Sequence, residues 1–383
     1  MALADDGFTA WLENFYPVAS KEGISRKTWD TAFLSVTEID SKALKKANYQ
    51  PEFKTKIWDY LDARVNPLAV GRGNKMSLLH ADTLTAIEKR FSVPSSVLLA
   101  IWSMESNYGA IFDKPGRLHY VPRALATLAY KDTKRRKFAS RQLSAALKIL
   151  QNGDIQANQL TGSWAGAMGH TQFIPTSYLA YGVDMDNDGA RDIWNSVPDA
   201  LATAANLLVK NGWQAGKTWG YEVKLVANAS AFADETKSLS EWQELGFRRT
   251  GGRVFPRPGD KAVLKLLAGE NGPGFLMLKN FFVFKRYNNA DSYALAVGLL
   301  ADRIAGYQEM QLSWPRPKGA LTMTEKVELQ QLLGEKGFYQ GEVDGFLGPE
   351  SRAAIRASQQ WLGQTTDGEP TKDLLVALRR KMR

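Results

Sequence analysis

Cysteine is absent from all 383 residues, which removes disulfides, thiol nucleophiles, thiolate-held metals and a lipid-bearing N-terminal cysteine. A chain without thiols is compatible with an oxidising compartment. Histidine is scarce too: His80, His119 and His170 show no metal-binding spacing. The pattern puts His80 and His119 in surface or loop positions and His170 inside a glycine-rich segment lining a cleft. No apolar run approaches the length of a membrane span. Zinc-finger, RNA-recognition and helix-turn-helix signatures are missing, so no nucleic-acid partner is expected.

What remains is an ordinary globular composition, 44% hydrophobic and 23% charged, long enough for two or three domains. The net charge of +9 favours an anionic partner such as an acidic membrane surface or an acidic cell-wall polymer. Ala2-Leu3-Ala4 has the small-x-small form of a signal-peptidase site, so removal of an export signal is expected, while an unprocessed cytoplasmic N-terminus fits these few residues nearly as well.

Hydrophobic spacing through Phe8, Trp11, Phe15, Trp29 and Phe33 predicts helices up to about Arg90. Asn66-Pro67 marks a break and Gly71-Arg72-Gly73 a loop. Helices follow from about Ser77 to Phe91, after Pro94, from Pro122 to Gln151, and near Pro175 and Pro198. From Tyr221 to Tyr287 the pattern turns to strands at 223–226, 262–267 and 281–284, separated by glycine- and proline-rich turns. A last helix of the main body is expected over 292–307. Trp314-Pro315-Arg316-Pro317-Lys318-Gly319 reads as a linker before a compact, mainly helical unit.

Leu98, Ile101, Trp102 and Glu105 fall at i, i+3, i+4 and i+7, on one face of a helix. An acid at the end of an apolar stripe is desolvated, which raises its pKa toward the range where it donates a proton near neutrality. Glycosidic bonds are protonated in this way. The same position also suits a structural acid tucked under a helix end that Gly109 terminates. A second segment, 162–178, packs small residues around Ser163, Gln172 and Tyr178, letting backbone approach a ligand closely while these side chains offer hydrogen bonds. A tight helix-packing turn explains it equally well.

Glu105-Ser106-Asn107-Tyr108-Gly109, the 162–178 segment and Arg286-Tyr287-Asn288, in that order and spacing, resemble the lytic murein transglycosylase B family over roughly residues 8–308. The resemblance implies a mainly α fold: a lysozyme-like catalytic core (81–221, completed by 286–312), a helical flanking domain (1–80) and a small antiparallel β domain (222–285). It implies cleavage of the β-1,4 bond between N-acetylmuramic acid and N-acetylglucosamine, leaving a 1,6-anhydromuramoyl end, with Glu105 as acid and then base and no catalytic cofactor. Ser163, Gln172, Tyr287 and Asn288 map onto sugar contacts, and Arg135 and Arg136 onto a basic pair near the stem peptide. The expected partners are peptidoglycan glycan strands and stem peptides, met by a monomer in the periplasm. Ala205-Asn206-Leu207 departs from the family's usual Ala-Asn-Tyr and puts one sugar contact in doubt. A muramidase using water, and a non-catalytic scaffold gripping glycan, are the alternatives.

Asp184, Asp186, Asp188, Gly189 and Asp192 fit positions 1, 3, 5, 6 and 9 of a calcium loop, with Asn195 where a bidentate Glu belongs. The resemblance supplies Asp199 in its place, favouring a structural Ca2+ over an Asp-rich surface turn. Beyond the 313–319 linker, residues 320–383 carry Gly337-Phe338-Tyr339, Asp344-Gly345 and Asp367-Gly368 and resemble the peptidoglycan-binding type 1 domain, a three-helix module.

Overall fold

The computed structural model describes residues 6–48, 55–113 and 116–381, so the Ala2-Leu3-Ala4 site lies outside the described residues. Helices dominate, with two small antiparallel sheets, as the fold expectation required. Among the described residues no helix is long and apolar enough to cross a membrane. The chain forms two compact units, one drawn from 1–54 and 76–215 and the other from 55–75 and 216–383. By compactness, residues 286–312 group with the sheet, whereas the expected plan joined them to 81–221.

In the first unit the helix Ser95–Ser106 is buried on every side, not along one stripe: Leu98, Leu99, Ala100 and Ile101 have no exposed surface. Pro94 is its N-cap and has no side chain with which to cap. Glu88 does that work from the preceding helix, its Oε2 accepting from Ser95 N at 2.9 Å and Ser95 Oγ at 2.7 Å, a carboxylate placed against the positive end of the helix dipole. The expected helix over 122–151 is two, Val121–Lys131 and Arg136–Asn152, broken where Asp132 takes the N–H groups of Lys134 and Arg135.

Two element assignments are corrected. Gly71 and Gly73 do not form a loop but lie inside the helix Pro67–Leu79, begun by Pro67 and capped by Asn66, whose Oδ1 accepts from Ala69 N at 2.8 Å. A well-made start outweighs two poor helix formers. Residues 281–284 are not a strand either. They end the helix Lys279–Phe284, and the strand lies just before, Gly274–Met277. A short apolar run does not distinguish strand from buried helix by periodicity.

His119 is likewise not a surface residue. It is 5% exposed, with Nδ1 2.6 Å from Asp40 and Nε2 3.2 Å from Lys46 Nζ. Lysine only donates, so Nε2 accepts and Nδ1–H points to Asp40. Burial works against the Asp40 anion, but the bonds from His119 and Ala43 N hold its pKa below the usual range.

In the second unit five strands run in the spatial order Thr236–Ser238, Lys261–Lys265, Gly274–Met277, Gly220–Lys224, Arg248–Arg249, all antiparallel. One face buries Trp242, Phe247, Leu264 and Leu276. Met323–Glu335, Pro349–Trp361 and Lys372–Lys381 make the three-helix module around Leu329, Leu333, Ile355 and Leu378. Two buried glutamines fix its turns. Gln330 Oε1 accepts from Asp344 N and Gly345 N while its amide donates to Asp344 Oδ1; Gln359 repeats the pattern with Gly368 N and Asp367.

Candidate active site

Glu105 stands in the last turn of the buried Ser95–Ser106 helix and is half-buried among fully buried neighbours. The helix stops at Ser106, earlier than a Gly109 terminator implies. Asn107 and Tyr108 both enter the left-handed region, and Asn107 N returns to Ser103 O. Two consecutive non-glycine residues there are uncommon and concentrate where a site dictates the backbone. Ser106 stabilises the turn, its Oγ accepting from Gly109 N at 3.0 Å and donating to His170 O at 2.6 Å.

His170 thus ties the Glu105 helix to the glycine-rich segment. Its Nδ1 accepts from Trp102 Nε1 at 3.1 Å, its N–H reaches Ile193 O, and its ring meets Phe112 and Trp102 edge-on. An indole N–H only donates, so the imidazole is neutral with its proton on Nε2. Burial lowers its pKa to about 4, against the pull of Asp192. Sequence spacing placed His170 in the cleft-lining segment, but nothing in it marked Trp102 as the partner.

Within 162–178 the backbone folds on itself. Ser163 N donates to Ala167 O, and Met168 and Phe173 exchange N–H···O bonds. Ser163 Oγ accepts from Ala165 N and Ala167 N, which leaves its hydroxyl proton to give. Gln172 is held in the left-handed region with its amide nitrogen on Gly169 O at 2.9 Å, so its carbonyl oxygen is the end turned to other donors. Tyr178 must be corrected. It has no exposed surface and its hydroxyl donates to Arg191 O at 2.5 Å, beneath the Arg191 guanidinium that pairs with Asp154. It is a packing residue, its phenol pKa raised by burial.

Arg135 and Arg136 are not equivalent. Arg136 donates to Ala129 O and Tyr130 O, closing the end of the Val121–Lys131 helix. Arg135 pairs with Asp132 at 2.6 Å and lies over the Trp164 ring at 5.6 Å. Although burial pushes Asp132 up, Arg135 and the local N–H groups hold it below the usual range. Trp164 stands beside Ser163 in sequence, so it joins the basic pair to the glycine-rich segment; no sequence signal singled it out. Leu207 is buried in the core, and Asn206 donates to Tyr181 O. Tyr287 and Asn288 belong to the second unit, following the Lys279–Phe284 helix. Tyr287 is half-buried and stacked on Tyr293, and Asn288 is exposed.

The calcium-loop residues divide. Asp184, Asp186 and Asp188 bring carboxylate oxygens within 4.8 Å of one another, a hard-oxygen set that suits Ca2+. Asp199 and Asp192 are outside that group. Asp199 is fully buried and accepts Met185 N and Asp192 N, while Asp192 accepts Trp194 N and Asn195 N. Both shape the loop, as does Asp184, which accepts Asn187 N and Gly189 N. Burial raises Asp199 to about 6, opposed by its two N–H donors.

Residues 7–302 match the family described as Transglycosylase SLT domain, and 323–378 match a peptidoglycan binding domain. The chain is 28% identical over 301 residues to membrane-bound lytic murein transglycosylase B of Escherichia coli K12, covering 75% of this chain and 80% of that one. It is similar to the crystal structure of SltB3 from Pseudomonas aeruginosa in complex with NAG-anhNAM-pentapeptide, at 44% identity, TM-score 0.77, and coverage of 97% and 99%. The Escherichia coli lytic transglycosylase SLT35 in complex with calcium shares the fold at 24% identity and TM-score 0.64, over 77% of this chain and 92% of that one. With a half-buried glutamate ending a buried helix and a match across most of its length, the chain belongs to the Transglycosylase SLT domain family of peptidoglycan lytic transglycosylases and carries a peptidoglycan binding domain after it.

Proposed function

We propose that this protein cleaves the β-1,4 bond between N-acetylmuramic acid and N-acetylglucosamine in peptidoglycan and closes the muramoyl unit to a 1,6-anhydro ring, with Glu105 as acid and then base. The observation that carries this reading is Glu105 itself, half-buried at the end of a largely buried helix. Glu105 gives its proton to the bridging oxygen as the bond to C1 breaks. Its carboxylate then takes the proton of the muramoyl C6 hydroxyl, whose oxygen bonds to C1. No water is consumed, and the acid ends as it began. The nucleophile belongs to the same sugar, so little entropy remains to be lost in bringing it to C1. Likeness to SltB3, crystallised with both a NAG-anhNAM-pentapeptide and a NAG-NAM-pentapeptide, supports a muropeptide substrate of this kind.

Ser163, Gln172, Tyr287 and Asn288 are proposed as sugar contacts, and Arg135 and Arg136 as the stem-peptide pair, Arg135 having the better case beside Trp164. The protein works as a monomer in the periplasm on glycan strands held by its C-terminal module. Asp184, Asp186 and Asp188 hold a structural Ca2+, because three close carboxylates repel unless a cation joins them. Calorimetry on chelator-treated protein should give calcium-binding heat and a raised Tm; neither would appear at a simple acidic turn.

The decisive experiment is mass spectrometry of the products from purified peptidoglycan. Wild type should release anhydromuropeptides, and Glu105→Gln should lose about 100-fold or more of that activity. Reducing muramic acid ends would mean hydrolysis, and equal turnover by the variant would remove Glu105 from the chemistry.

A further inference from the structure

The linker does not behave as a tether. At its start Glu222, on the strand Gly220–Lys224, accepts Gln311 N at 3.0 Å and Leu312 N at 2.8 Å. Trp314 stacks on Phe275 of the neighbouring strand, centroids 6.2 Å apart. Arg316 then makes a two-pronged bond to Asp62 at 2.7 and 2.8 Å. At the far end Lys372 N donates to Gly319 O, and Ala320 bridges Thr371. Stiffness and polarity suggest an interdomain linker. Every stretch of it is instead bonded to a neighbour.

Asp62 is the residue that joins the parts. It lies on the helix Ile57–Arg64 and is 7% exposed. It accepts from Arg316 of the linker and, at 2.8 Å, from Lys326 on the first helix of the module. One acid thus holds two cations from two successive segments. Arg72, on the next helix of the main body, pairs with Glu342 of the module. The packing around this seam is incomplete: a cavity of about 630 Å3 opens there, lined by Asp62, Asp302, Trp314 and Met323 among others. Beside that cavity the charged bonds are directional, and buried ion pairs are best suited to fixing register.

We infer that Asp62 is a positioning residue, which locks the C-terminal module in one orientation on the helix Ile57–Arg64 and the sheet of the same unit, so that the module presents the wall and does not merely tether the enzyme to it. This rests on the module's wall-binding role proposed above.

The absence of cysteine makes the test direct. A spin-label pair at Lys224→Cys and Glu335→Cys, both exposed, reads the distance between sheet and module in the full chain. A narrow distribution is expected without further change, and a broad one with Asp62→Asn. Lys326→Ala, which removes only the module's own bond and leaves Arg316 paired, guards against misfolding of the main body and should also broaden it. Both variants should digest insoluble peptidoglycan about fivefold more slowly and a soluble glycan fragment at the unchanged rate. A distribution that stays narrow in both variants overturns the lock. A broadened distribution with unchanged digestion of the insoluble wall overturns its role in presentation. Lack of anhydro product from the parent protein would strike the proposed reaction instead, while the distances would still report on the lock.

Discussion

The segments 162–178 and 184–199 meet the same demand by opposite means. Both are irregular backbone beside a core, and both must satisfy their amide groups. The first closes on itself, carbonyl to N–H, and reaches its shape through small residues. The second has carboxylates as acceptors: Asp184 for Asn187 N and Gly189 N, Asp192 for Trp194 N and Asn195 N, Asp199 for Met185 N and Asp192 N. They are joined where His170 N meets Ile193 O and Trp194 donates to Thr161 O. The lesson is that the first is brittle to added volume and the second to lost charge.

Glycine-to-alanine changes test this most severely. At Gly169, φ is +68° and a Cβ would stand 2.4 Å from Ile193 O, so Gly169→Ala should cost about 3 kcal/mol or more by overpacking against backbone. At Gly189, φ is +95° but a Cβ would meet nothing within 4 Å; Gly189→Ala should cost only about 1 kcal/mol of backbone strain. Denaturant titration compares them, and equal losses would end the contrast.

Removing an acceptor comes next. Asp199→Ala leaves two part-buried N–H groups without this acceptor, at about 1–3 kcal/mol. Asp199→Asn keeps one accepting oxygen and should lose about half as much. If Asn were as damaging as Ala, charge and not hydrogen bonding would be the dominant contribution of Asp199.

The last test concerns a carboxyl outside both segments. Asp302 has one strong donor, Trp219 Nε1 at 3.0 Å, and burial raises it to about 7. An unfolded Asp ionises near pH 4, so between about pH 4 and 7 the unfolded chain loses a proton that the folded chain keeps. Stability from this group therefore falls as pH rises through that window and levels off above it. Asp302→Asn should remove the slope and raise stability at pH 8, with little change at pH 4. A Tm difference independent of pH would contradict it.

Legibility followed the range of the interactions. The helix that carries Glu105, the positions of Pro175 and Pro198 near helix starts, and the Asp-Gly turns of the module could be read because each depends on residues a few positions apart. Residues 281–284 were misread because their apolar run fits a strand and a buried helix alike. Tyr178 looked available to a ligand because its sequence neighbours are small and polar; its hydroxyl goes to Arg191 O, thirteen positions on. Burial of His119 depends on Asp40 and Lys46, more than seventy residues away, and no local spacing encodes that.

By itself the sequence determined the reaction class to test, the acid to test it with, a helical chain with a small sheet, and a separate C-terminal module. The reaction class follows from the family resemblance that the motifs carry, the rest from side-chain chemistry and short-range periodicity. Tertiary structure alone decided which backbone groups the loop acids serve, which tautomer His170 holds, that Tyr178 is withdrawn from solvent, and that the linker is pinned through Asp62. Each of these depends on a hydrogen-bond partner distant in the chain, and a donor's choice among distant acceptors is made only when the chain has packed.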